Sequence, residues 1–378
     1  MGRNVGWWLL GWTVSWWLLG SWVVFLPTSA EAVDACRAAC RVTRKTCFQA
    51  AASTFVATKA GCPTTRPDRA ACLKAARLAR AAARLACRND LKTCKAACPP
   101  VGGGGGSTTQ CGSSGGIAGL NEYRQLAGLP AVTERADLSA GDEQHSIYMV
   151  KNDEITHVED PGNQFYTAEG AAAGLNSNVA AFSSPSKGLK DVVDYLMASP
   201  FHGVGFIDPA LLESGAGIAH DTAGSIQTAG AVDVLSGRGA VPAGVTYPIL
   251  FPADGTTLPL TQYPGNELPD PLTSCPGFAA PTGMPLFVQL ATTPAVTDHA
   301  LTRSGTALEH CIFDGTNYTN PDAGNQSLGR AVLAARNAIV IFPRAVLSPG
   351  TYTVSVTTGG QTITWSFTVT CNRKAPGF

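Results

Sequence analysis

Cysteines carry the clearest chemical pattern in this chain. Of the twelve in its 378 residues, eight lie at 36, 40, 47, 62, 72, 87, 94 and 98. The residues between successive ones number 3, 6, 14, 9, 14, 6 and 3, a palindrome. Thiols so placed can close disulfides or ligate a metal. A nested pairing, Cys36–Cys98, Cys40–Cys94, Cys47–Cys87 and Cys62–Cys72, gives every pair the same summed position, 134. Two antiparallel helices demand this, because partners must stand at equal distances from the turn. Of the many pairings eight cysteines permit, the symmetry singles out one. Metal ligation is the weaker reading, since the spacing contains no Cys-x-x-Cys pair. Cys111, Cys275, Cys311 and Cys371 remain, and their three pairings stay open. The zinc-hydrolase signature His-Glu-x-x-His is missing, and the Gly-x-Ser-x-Gly string at Gly112 to Gly116 falls in the glycine-rich linker rather than on a strand-to-helix elbow.

The elements that must position these groups follow from composition. Formal net charge is zero, which excludes a uniformly basic nucleic-acid binder. The zero hides a split. Residues 33–98 carry fourteen Lys/Arg against three Asp/Glu, whereas residues 99–378 carry twelve against twenty-three. A small basic module is thus attached to a larger acidic body. Residues 1–32 read as an export signal, with Arg3 ahead of an apolar run from Val5 to Leu26 and Ala30-Glu31-Ala32 before the cut at Val33. The run is also long enough to span a bilayer, so an uncleaved anchor is the alternative. Either way the remainder is secreted, extracellular or held at the cell envelope, where disulfides are the default state of cysteine.

Residues 33–98 are expected to form a disulfide-stapled helical hairpin. Ala, Leu, Arg and Lys favour helix over 70–97, and Pro63 and Pro67 break the chain before an Asp68 N-cap. The seam is mostly Ala and Cys, so the bridges must supply much of the stability. Lys74, Arg77, Arg84, Arg88 and Lys95 share one side of the second helix, with Arg37, Arg41, Arg44 and Lys45 on the first. Such a face suits an anionic envelope surface. It equally suits solvent, or docking on the acidic body of the same chain. Residues 99–116, with five consecutive glycines, read as a flexible linker.

Residues 117–237 read as helices with a few strands. Helices are expected over Leu120 to Leu126, Ala136 to Val150 and Ser186 to Ala198, with strands over Gly215 to Ala219 and Ser225 to Val234. Here Asn121-Glu-Tyr-Arg124 with Gly128-Leu129-Pro130 resembles the opening helix of the CAP superfamily, the cysteine-rich secretory, antigen 5, pathogenesis-related and bacterial SCP-like proteins. Thr156-His157-Val158-Glu159 matches the position of that family's first histidine, and Ala168-Glu169-Gly170 its Gly-Glu-Asn. Ser199-Pro200-Phe201-His202 matches the bacterial Ser-Pro-x-His, and Gly215-Ala216-Gly217 the glycine-rich strand behind it. The resemblance implies an α-β-α sandwich with a central cleft.

It also implies a ligand-binding cleft lined by His157, Glu169 and His202. In the family two His and two Glu face that cleft and can hold zinc or another divalent metal, which makes His157 and His202 the metal candidates. No carboxylate stands near Ser199 where the second Glu belongs. Glu159 and Asp194 are the available substitutes, and His145 is an outside candidate for a third nitrogen. Each has a structural alternative: His145 as a packed histidine, His202 as a helix cap, Glu169 as an N-terminal helix charge. The favoured function is binding of an extracellular ligand (lipid, glycan or protein) rather than catalysis. The alternatives are a metal-dependent extracellular hydrolase using His157, His202 and Glu169, and a structural envelope protein with a vestigial cleft.

Residues 238–378 begin with a Pro-rich connector containing Asn266-Glu-Leu-Pro-Asp-Pro271. Period-two patterning follows. Short strands are expected over Pro285 to Leu290, His310 to Phe313 and Ala338 to Phe342, and a hairpin joins Tyr352, Val354 and Val356 through Gly359-Gly360 to Ile363, Trp365, Phe367 and Val369. The last strands resemble those of bacterial Ig-like sandwiches. The expected class is multidomain α+β: a stapled helical hairpin, an α-β-α sandwich and an all-β Ig-like sandwich.

Overall fold

The computed structural model describes residues 29–66, 68–97 and 114–377. The export segment lies almost wholly outside them, as do Cys98 with its pairing to Cys36, and most of the Gly-rich linker. Among the described residues no helix is long and apolar enough to cross a membrane. The chain divides into two compact units, Met1–Ser107 and Thr108–Phe378.

In the first unit, α1 (Ser29–Ala60) packs along α2 (Asp68–Ala97). The bridges Cys40–Cys94, Cys47–Cys87 and Cys62–Cys72 are all formed, with Cα–Cα separations of 5.7, 5.7 and 5.8 Å. Cys40, Ala51, Ala76 and Cys87 are buried in the seam. Small side chains let the helices approach closely but remove little apolar area from water, so bridges contributing about 2–4 kcal/mol each matter here. Part of the basic surface has a structural use. Arg44 and Arg84 both stack on Phe48, and Arg80 stacks on Phe55. Lys45, Lys74 and Arg77 are exposed.

The second unit begins with a three-layer arrangement. Its sheet has three antiparallel strands in the order Ser177–Phe182, Thr228–Asp233, Ala216–His220. α4 (Ala136–Asn152) and α5 (Ala168–Asn176) cover one face, while α3 (Gly116–Leu126) and α6 (Leu189–Ala198) cover the other. Strand alternation sorts the cores. Val179, Ala181, Ala229 and Ala231 pack with Met149 and Val150 of α4, while Ala180, Phe182 and Val232 join Leu120, Tyr123, Val192 and Leu196. The glycine-rich strand is explained by close approach of α4. A Cβ on Gly217 would stand 2.0 Å from the Glu143 nitrogen, and one on Gly215 would stand 2.4 Å from the Leu138 carbonyl carbon.

The remainder of this unit holds, beside a small two-stranded ladder of Gln262–Tyr263 with Thr282–Gly283, two larger sheets with a common core. One has four strands in the order His310–Asp314, Ala338–Pro343, Leu286–Gln289, Ile249–Phe251. The other has five, in the order Thr306–Ala307, Val296–Arg303, Gly350–Thr358, Gln361–Arg373, Thr257–Leu260. Phe287, Ile341 and Phe313 of the first meet Tyr352, Trp365 and Phe367 of the second in one buried cluster. The expected hairpin is present, with Tyr352 opposite Phe367 and Val354 opposite Trp365. Gly359 and Gly360 both take positive φ in its turn. Cys275 is bridged to Cys311.

The all-β expectation is corrected. α8 (Ala323–Ala334) lies between the strands His310–Asp314 and Ala338–Pro343, capped by the Asp322 carboxylate accepting from Asn325 N at 2.8 Å. Gly329 lets this helix lie against Tyr318, whose Cε1 would be 2.5 Å from an added Cβ.

Candidate functional site

The opening-helix motif is structural. Arg124 is buried, and its guanidinium donates to the carbonyls of Pro130, Phe206, Asp208 and Leu211 at 2.9–3.0 Å. It thereby fixes the chain leaving α7 (Pro200–Phe206). Burial pushes its pKa down to about 10, still cationic at neutral pH. The Asn121 side chain holds Val132 by both its N–H and its carbonyl. Tyr123 donates to Asp194 at 2.6 Å.

Two histidines, His157 and His202, line the space between α5, α6 and α7. His157 sits in the loop after α4 and hydrogen-bonds through Nδ1 to the Gly174 carbonyl at 2.8 Å. A carbonyl only accepts, so Nδ1 carries the proton and Nε2 presents a lone pair. Burial, then the neighbouring His202 and His145, lower its pKa, while the Gly174 bond raises it. Gly174 is required here, because an added Cβ would lie 2.5 Å from His145 Cε1 and 2.7 Å from the His157 carbonyl.

His202 is held by an acid the family pattern does not supply. The Glu267 carboxylate oxygen Oε1 accepts from His202 Nδ1 at 2.7 Å, Phe201 N at 2.8 Å and His202 N at 3.2 Å. Glu267 therefore caps the first turn of α7, where Ser199 makes no side-chain cap bond, and orients the imidazole. Its side chain is 0% exposed, and burial pushes its pKa up against the opposing pull of His202. Its other oxygen, Oε2, is buried with no hydrogen-bond partner. The connector carrying Glu267 is fastened by Tyr195, whose hydroxyl donates to the Asn266 carbonyl at 2.9 Å.

The other sequence candidates lie elsewhere. Glu169 is exposed in the first turn of α5, outside both cavities described below, because Gly170, Ala173 and Gly174 form that helix's inward side. His145 is buried with both nitrogens committed, Nδ1 to Glu159 at 2.9 Å and Nε2 to the Thr156 carbonyl at 2.8 Å. Neither His145 nor Glu159 is available to a metal. Asp194 is tied to Tyr123, Lys190 and Arg373. Ser199 is buried and donates to the Tyr195 carbonyl at 2.9 Å, so it is no nucleophile.

Two cavities of ≈ 250 and ≈ 290 Å³ share His157, His202 and Leu268. Val179, Ala181, Tyr195 and Glu267 line the first. Leu175, Leu235, Val332 and Leu328 line the second. Leu268, 73% exposed, and Leu175, 63% exposed, stand at the rim as unusually open large apolar side chains. The lining is apolar with a few polar atoms, the character of a small-molecule site. It does not fit a resident metal: among the described residues no three His, Cys, Asp or Glu side chains gather, and the acid beside His202 is spent on orientation and capping.

Residues 117–229 match the family described as CAP, the cysteine-rich secretory protein family. No curated protein matches the chain. Among solved structures, the copper-resistance protein PcoC of Escherichia coli, in selenomethionine form, is 16% identical over 32% of this chain and 95% of its own, with TM-score 0.17. A chimeric titin Z1Z2 carrying a decorin peptide is 13% identical over 53% of this chain and 83% of its own, with TM-score 0.16. Likenesses this low carry no argument. Disulfides and the family match agree with an extracellular protein. The α-β-α layers, the ordered motifs and the family match together identify a CAP domain at residues 117–229 of this chain.

Proposed function

We propose that this CAP-domain protein is exported and binds an apolar extracellular ligand bearing a hydrogen-bond donor, such as a hydroxylated lipid, without turning it over. The observation that carries the reading is Glu267 Oε2, a buried acceptor with no hydrogen-bond partner on a residue that lines the ≈ 250 Å³ cavity beside Val179, Ala181 and Leu268. A buried acceptor left unpaired costs about 1–3 kcal/mol, which a ligand hydroxyl would recover on binding. His157 Nε2 offers a second acceptor in the same space. The exposed leucines at the rim would cover the ligand's apolar body.

A hydrolase is the second reading, because His202 oriented by Glu267 has the base-and-orienter arrangement of a general base. The version using Glu169 loses its acid, and Ser199 supplies no nucleophile. The exposed lysines and arginines of the hairpin suit attachment to an anionic surface.

The test exchanges acceptor for donor. In Glu267→Gln the amide oxygen can keep the bonds to α7, and an N–H then occupies the position of Oε2. A fluorescent alcohol should bind the full chain more tightly than its methyl ether, and Glu267→Gln should abolish or reverse that preference. An unchanged preference would remove Glu267 from the site.

A further inference from the structure

We infer that His299 and His310 form a surface metal site selective for Cu(II), separate from the CAP cleft. Strand Val296–Arg303 turns through Ser304-Gly305, both at positive φ, into Thr306–Ala307, the geometry of a two-residue type I′ hairpin. Thr302 pairs with Ala307 and Arg303 with Thr306, and Leu308 N donates to the Leu301 carbonyl at 2.9 Å. Continuing this register by two residues sets His299 opposite His310. There the chain crosses into the other sheet, and Cys311, next to His310, is bridged to Cys275. The pair is therefore built on two strands and a disulfide rather than on a free loop.

The nitrogens face each other. His299 Nδ1 and His310 Nε2 are 2.9 Å apart. His310 Nδ1 hydrogen-bonds to the Leu308 carbonyl at 2.8 Å, so it carries the proton and Nε2 has the lone pair. Metal-binding histidines are commonly oriented by such a second bond. Between two neutral rings the contact itself requires a proton on His299 Nδ1. That proton moves to Nε2 through solvent when a metal enters, which leaves both facing nitrogens as ligands.

The spacing selects the metal. Once the hydrogen bond is broken and both rings turn their lone pairs onto one ion at about 2.0–2.1 Å, nitrogens kept near their 2.9 Å separation would subtend roughly 90°. That is the cis angle of tetragonal Cu(II) or Ni(II), narrower than the tetrahedral angle zinc prefers, and Cu(II) binds tightest in the divalent series. With only two protein ligands, since no three His, Cys, Asp or Glu gather among the described residues, this is a site that loads from added metal rather than a resident centre, and water would complete the coordination. Competing histidines are few. Of the six in the chain, His145 is fully committed, His220 bonds the Lys187 carbonyl, and His157 and His202 belong to the cleft.

The experiment titrates Cu(II) ions into the full chain and reads electron paramagnetic resonance. One ion should bind with coupling to two imidazole nitrogens. His299→Ala and His310→Gln should each weaken binding at least tenfold and remove the two-nitrogen pattern, with circular dichroism unchanged. The His157→Ala/His202→Ala double variant should leave both intact. Unchanged affinity in the two single variants would overturn the assignment, as would loss of the two-nitrogen signal in the cleft double variant. His299 is exposed, so its alanine variant decides the matter should His310→Gln disturb the fold.

Discussion

Replacing Glu267 by Ala tests whether a residue outside the family segment holds its histidine in place. One carboxylate oxygen accepts from Phe201 N, His202 N and His202 Nδ1 at 2.8, 3.2 and 2.7 Å. Losing a helix cap costs about 0.5–2 kcal/mol. Stranding a buried side-chain donor costs about 1–3 kcal/mol more. Against this, the variant is relieved of burying Glu267, whose raised pKa records that burden. The net expectation is about 2–4 kcal/mol, concentrated on α7. Hydrogen exchange of the Phe201 and His202 amides in the full chain reads it locally. A loss of about 2 kcal/mol in opening free energy speeds exchange roughly 30-fold. Glu267→Gln, which retains an acceptor, should give less than half that loss of free energy. Exchange at both amides in Glu267→Ala matching that of the native chain would refute the reasoning.

Three further outcomes are expected. Asp142 is buried beside Ser177 and Asp233, and burial raises its pKa from 3.8 to about 7. A raised folded-state value means that its contribution to stability is fully present below pH about 4 and falls by roughly 1.4 kcal/mol per pH unit until about 7. Asp142→Asn should flatten that slope in urea unfolding and be the more stable protein at pH 8. Gly217→Ala must push α4 off the sheet and should cost at least about 2 kcal/mol by the same assay. Peptide mapping without reduction should recover Cys275–Cys311 with Cys111–Cys371, the one pairing left once the first is formed, and should link Cys36 to Cys98.

The stapled hairpin was legible because its constraint is arithmetic: antiparallel helices force equal distances from a turn, and the cysteine positions record them. Helices α3, α4 and α6 were legible from apolar period, and the terminal hairpin from alternation around Gly359-Gly360. His157 and His202 came from the order of motifs. Glu267 was not legible, because it meets α7 from some 65 residues downstream and its segment shows only a carboxylate among prolines. Glu169 was misplaced because an acid in a helix's first turn satisfies the dipole from solvent and need not face a cleft. α8 escaped notice because its two glycines, one of them needed against Tyr318, lower its helical signal.

The most direct measurement incubates the full chain with a fluorescent monoacylglycerol, which carries both hydroxyls and a scissile ester. The bound material is then recovered and weighed by mass spectrometry. The account predicts one intact molecule per chain, lost in the His157→Ala/His202→Ala variant. Recovery of the cleaved fatty acid, or equal retention by the variant, would contradict it.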